Sequence, residues 1–60
     1  MKTITLRQLK SFIDKLTDLD SFYQQIIDYL QPYDYTDHTI NEAQRYADYK
    51  YNLLKEKYSQ

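Results

Sequence analysis

Apolar residues recur along this 60-residue chain at steps of three and four. Leu6, Leu9, Ile13 and Leu16 form the first such stripe. Leu19, Phe22, Tyr23, Ile26, Ile27 and Leu30 form the second, and Ile40, Ala43, Ala47, Tyr51, Leu54 and Tyr58 the third. That period is one face of an α-helix. The spacing predicts helices over about 5–16, 18–31 and 39–58.

Boundary signals agree with this division. Thr5 and Gln8, and again Thr39 and Glu42, have the capping-box spacing, with Thr3 a rival to Thr5. Thr17-Asp18-Leu19-Asp20-Ser21 is rich in residues that suit N-caps better than helix interiors. Pro32 cannot continue a helix and disfavours helical geometry at Gln31. Lys55 and Lys57 suit the C-terminal end of the last helix dipole.

The fold class this implies is all-α, a small three-helix bundle forming a single domain over 1–60. A second arrangement fits the same pattern. The heptad phase 6, 9, 13, 16, 20, 23, 27, 30 is violated only by Asp20. A continuous helix over 5–31 would give a two-helix hairpin that dimerises into a four-helix bundle. The alternation at Met1–Leu6 also suits a short strand, which carries little weight beside three helical stripes. The expected core is Leu6, Leu9, Ile13, Leu16, Leu19, Phe22, Ile26, Ile27, Leu30, Ile40, Ala43, Ala47, Tyr51 and Leu54.

Composition narrows the chemistry. There are seven Leu, five Ile and two Phe but no Val, and a chain this short buries only about 60% of its unfolded surface. Tyrosines must therefore join the core, or a second chain must cover an apolar face. Tyr23, Tyr51 and Tyr58 fall in phase with the stripes and read as core, whereas Tyr33, Tyr35 and Tyr49 do not. The absence of Cys excludes disulfides, thiolate metal sites and Cys nucleophiles. The absence of Gly excludes Gly-rich phosphate loops. His38 beside Asp37 and near Asp34 is the one group that could ligate a metal or orient a base, and it reads as a solvated turn. No enzyme activity, cofactor or metal is expected.

No segment is apolar for long enough to span a bilayer, and no secretory signal is expected after Met1-Lys2. The expected location is the cytoplasm. Phe, Tyr, Met, Ile, Asn and Lys make up 24 of the 60 residues, against five Gly, Ala, Arg and Pro. These are AT-rich codons against GC-rich ones, which points to a low-GC bacterium or a phage.

The net charge is -1 but unevenly spread: residues 1–13 sum to +3, residues 14–37 to -5 and residues 38–60 to +1. The acidic third is also aromatic, and Tyr supplies large contact area for few lost rotamers. Asp28, Tyr29, Tyr33, Asp34, Tyr35 and Asp37 are thus the expected partner-binding surface. The function expected is a small regulator or inhibitor that docks on a host protein. An alternative is a nucleic-acid-binding regulator using Lys2, Arg7, Lys10, Arg45 and Lys50, with Lys10 also placed to pair with Asp14 one turn on. Another is a self-assembling structural protein, in which exposed tyrosines close a homodimer.

Overall fold

The computed structural model describes residues 2–59. It is a three-helix bundle closed at one corner by a minimal sheet. The chain runs β1 (Lys2–Thr3), α1 (Leu6–Asp14), α2 (Phe22–Leu30), β2 (Tyr33–Asp34) and α3 (Asp37–Ser59). β1 and β2 are parallel, with Lys2 opposite Tyr33 and Thr3 opposite Asp34. The amide of Ile4 extends the pairing by donating to the Asp34 carbonyl at 2.9 Å.

The strand pair is the first departure from the sequence reading. Met1 lies outside the described residues, but Lys2–Thr3 is a strand. Its consequence is the burial of Ile4, which is 2% exposed and was not among the expected core residues. A single isoleucine ahead of a helix cap has no periodicity of its own. Its burial is created by a strand 30 residues away in sequence.

α1 begins where the sequence places it. The Gln8 amide donates to Thr5 Oγ1 at 3.2 Å and the Thr5 amide donates to Gln8 Oε1 at 3.0 Å, a complete capping box. The helix ends at Asp14, not Leu16. The Lys15 and Leu16 amides donate to the Phe12 and Ile13 carbonyls at 3.1 Å, i→i−3 bonds that tighten and close the last turn.

α2 starts at Phe22, four residues after the expected start. Asp18 is consumed by a local turn: Oδ1 accepts from the Asp20 amide at 3.0 Å, and Oδ2 accepts from the Ser21 hydroxyl at 2.8 Å. A side chain that bonds its neighbours this way holds the backbone out of the helix. α1 and α2 are consequently separate helices, and the continuous helix over 5–31 is not formed.

α3 starts two residues early. Thr36, not Thr39, supplies the cap, since Thr36 Oγ1 accepts from the Thr39 amide at 3.2 Å. Thr39 thereby becomes the third helical residue, and the expected Thr39–Glu42 box is displaced. At about 1.5 Å per residue, the 23 residues of α3 span about 35 Å and set the 41 Å long dimension of the molecule.

The core is Ile4, Leu9, Ile13, Phe22, Ile26, Leu30, Ala43 and Ala47. Leu6, Leu16, Ile40, Tyr51 and Leu54 pack against it half-buried, and Leu19 is also half-buried. Ile27 is 51% exposed, contrary to expectation. Adjacent helical residues differ by about 100°, so Ile26 takes the inward face and Ile27 turns out. Tyr23 and Tyr58 are likewise exposed, at 44% and 60%. Tyr29, Tyr33 and Tyr46 are the phenols that join Tyr51 against the core.

Two stability predictions follow from these contacts. Ile4→Ala should lower the unfolding free energy by about 2–5 kcal/mol, measured by urea denaturation with circular dichroism. Thr36→Ala should cost about 1 kcal/mol and Thr39→Ala distinctly less, because only the former removes the cap.

Candidate functional site

The six residues 28, 29, 33, 34, 35 and 37 reach the surface in different directions. Asp28 is exposed on α2 and accepts from the Gln24 side-chain amide at 3.0 Å. Tyr29 turns toward α1 and stacks on Phe12, ring centroids 3.9 Å apart and 3° from parallel. Burial foremost, and then Tyr33, hold its hydroxyl above the usual tyrosine pKa. Tyr33 lies half-buried on β2, its ring 5.5 Å from that of Tyr29. Asp34 contributes its carbonyl to the strand pair while its residue as a whole stays exposed. Asp37 opens α3, where a carboxylate suits the positive end of the helix.

Tyr35 is 47% exposed. With Ile27, Leu30, Gln31, Tyr33, Ile40 and Gln44 it lines an open groove of about 350 Å³ between α2 and α3. The structure thus gathers Tyr33 and Tyr35 there. Asp34 lies between them in sequence, and Asp37 stands one helical turn before Ile40. It directs Tyr29 elsewhere. It adds Ile27 and Ile40, which the sequence assigned to the core. A groove-lining residue and a core residue share the same helical period, and Ile40 is both, packing against the core as it lines the groove.

The five basic residues have different surroundings. Lys10 and Lys50 converge on Tyr46, with Nζ 5.2 and 6.0 Å from the ring centroid. Lys50 Nζ lies 3.3 Å from Asp14 Oδ1, so the ion-pair partner of Asp14 is on α3 and not Lys10 one turn before it. The Tyr46 hydroxyl also donates to Asp14. That bond foremost, assisted by Lys50 and Lys10, holds the Asp14 carboxyl below the usual carboxylate range. Arg7 and Lys10 share a groove that also contains Asp14. Lys2 and Arg45 lie exposed on β1 and α3.

His38 is exposed in the first turn of α3. Among the described residues, no three His, Asp or Glu side chains gather as a metal site would require. Nor is any helix of the described residues long and apolar enough to cross a membrane.

Besides the Lys50–Asp14 ion pair, sequence reading missed two side-chain hydrogen bonds between helices. Tyr46–Asp14 joins α3 to α1, and the Tyr23 hydroxyl donates to Asp48 Oδ1 at 2.6 Å, joining α2 to α3. Nothing local signals a pair 25 or 32 residues apart. Partial burial first, and then Asp48, push the Tyr23 hydroxyl up to about 12. A tyrosine whose folded pKa is raised stabilises the fold while protonated. That contribution is present below pH 10 and lost as pH climbs toward 12. Alkaline titration followed by tyrosinate absorbance should therefore show Tyr23 ionising late, with Tyr29 and Tyr46 also above the usual tyrosine range. Tyr23→Phe should remove one phenol from the late phase and reduce the loss of stability above pH 10.

No protein-family model, curated protein or solved structure matches this chain.

Proposed function

We propose that this chain is a non-enzymatic binding module that docks on another protein through the α2–α3 groove. The observation that carries this reading is the pairing of Ile27 and Tyr35. Both are apolar, about half exposed, and set around one groove. Water-exposed aliphatic and aromatic surface of this kind is typical of the centre of an interface, where Tyr is enriched and a polar rim surrounds it. Acidic residues adjoin its lining in sequence: Asp28 follows Ile27, and Asp34 separates Tyr33 from Tyr35. Among the described residues, Asp28, Asp34 and Asp37 have no salt-bridge partner. A target presenting an apolar anchor with basic neighbours fits this surface.

Docking of a rigid bundle can mask a functional surface of its target, the action of a regulator or inhibitor. A composition weighted toward amino acids with AT-rich codons supports a bacterial or phage source. The lack of Cys suits the reducing cytoplasm.

The test is capture of a partner from low-GC bacterial lysate, with and without nuclease, by the wild-type chain and by Ile27→Asp/Tyr35→Ala. Both positions are exposed, so the variant should keep its helical circular dichroism. Tyr33 is left in place because it packs on the core. The expected result is a discrete protein held by the wild type in both samples and lost by the variant. Retention that disappears with nuclease would favour the nucleic-acid reading. A second copy of the chain as the retained species would favour self-assembly.

A further inference from the structure

A second groove, of about 410 Å³, lies between α1 and α2 and is lined by Arg7, Gln8, Ser11, Phe12, Lys15 and Tyr29. The Phe12–Tyr29 stack gives it an apolar wall fixed by two elements. Arg7 and Lys15 are exposed and eight residues apart, about 12 Å along the helix axis. Neither has a salt-bridge partner among the described residues. The lining contains no acid. Asp14, the one carboxylate on α1, is engaged by Tyr46 and Lys50 of α3. The Ser11 hydroxyl makes no hydrogen bond to another described residue, whereas the Gln8 side-chain oxygen is engaged by Thr5.

From this arrangement we infer that the α1–α2 groove is a second docking surface, specific for an acidic helical segment of another protein. Two carboxylates two turns apart on such a segment would meet Arg7 and Lys15. An apolar side chain between them would lie on Phe12 and Tyr29. Arg7 can grip a carboxylate with two parallel hydrogen bonds, and the long stem of Lys15 can adjust to the second. A nucleic-acid strand fits less well. Phe12 and Tyr29 each spend a ring face on the other, which leaves less aromatic surface on which a base could stack. The chain is also net negative, with five excess charges over residues 14–37. No residue lines both this groove and the Tyr35 groove, although the Tyr29 and Tyr33 rings meet between them with centroids 5.5 Å apart. With it, one small bundle could hold two partners of opposite charge.

The test is an amide-shift titration of the full chain by nuclear magnetic resonance. Three probes are used: a helical peptide with Leu between two Glu placed seven residues apart, the same peptide with Lys for Glu, and a single-stranded oligodeoxynucleotide. The acidic peptide should give saturable shifts at Arg7, Ser11, Lys15 and Tyr29, weakening with salt. Arg7→Glu/Lys15→Glu should weaken it at least about ten-fold and transfer preference to the Lys peptide. Both positions are exposed, and circular dichroism checks that the variant is folded. Ile27→Asp/Tyr35→Ala should bind the acidic peptide normally, so failure here and failure of the Tyr35 groove are separable. Three results would overturn the inference: no saturable shift, equal shifts from the Lys peptide, or stronger shifts at the same amides from the oligonucleotide.

Discussion

Ala43 and Ala47 sit one turn apart on α3 and are almost wholly buried in the cluster that holds Leu9 and Ile13. Their small side chains let the α3 backbone run close to α1, and these are the two helices in most extensive backbone proximity. Much else depends on that approach. It brings Tyr46 and Lys50 within reach of Lys10 and Asp14. It leaves one side of the pair for Phe22, Ile26 and Leu30 of α2 to cover. Interiors are close-packed, so the side chains facing the two alanines can be large only because the alanines are small.

Around this seam, tyrosine does two kinds of work. Tyr29, Tyr33, Tyr46 and Tyr51 extend a core that lacks aliphatic volume, stacking or tilting on neighbouring rings. Tyr23 and Tyr58 use their hydroxyls to tie α2 and the 16–21 joint to α3, through Asp48 and the Thr17 carbonyl. In a bundle whose joint and corner contain no glycine, those ties replace some of the constraint that tight turns would provide. Tyr35 stands apart: it is half exposed beside Ile27, and the proposed docking function rests on that pair.

The charge asymmetry of the sequence also acquires a spatial form. Arg7 and Lys15 flank the α1–α2 groove, and Asp34 and Asp37 lie by the α2–β2–α3 corner. Strand pairing ties the ends of this arrangement together, since β1 leads into the basic helix and β2 leads out toward the acidic corner. Two aromatic grooves, one lined by Arg7 and Lys15 and neither lined by an acid, are the basis of the proposed docking surfaces.

The three apolar stripes, the Thr5–Gln8 cap, the break at Pro32 and most inward positions were determined by sequence alone, whereas the split of the first two stripes into separate helices was not. The former all depend on residues within one or two turns of each other, where period and capping chemistry act directly. Tertiary structure decided what required distant partners. Ile4 became core because β2 paired with its strand, and Asp14 found Lys50 because α3 packed on α1. Asp18 closing a turn and Thr36 displacing Thr39 were choices between rival local bonds that only the assembled chain resolves. The two grooves lie in the same class. Phe12 and Tyr29, or Ile27 and Tyr35, have no sequence signal of adjacency. Which apolar side chains stay exposed is settled by how many faces three packed helices can hide.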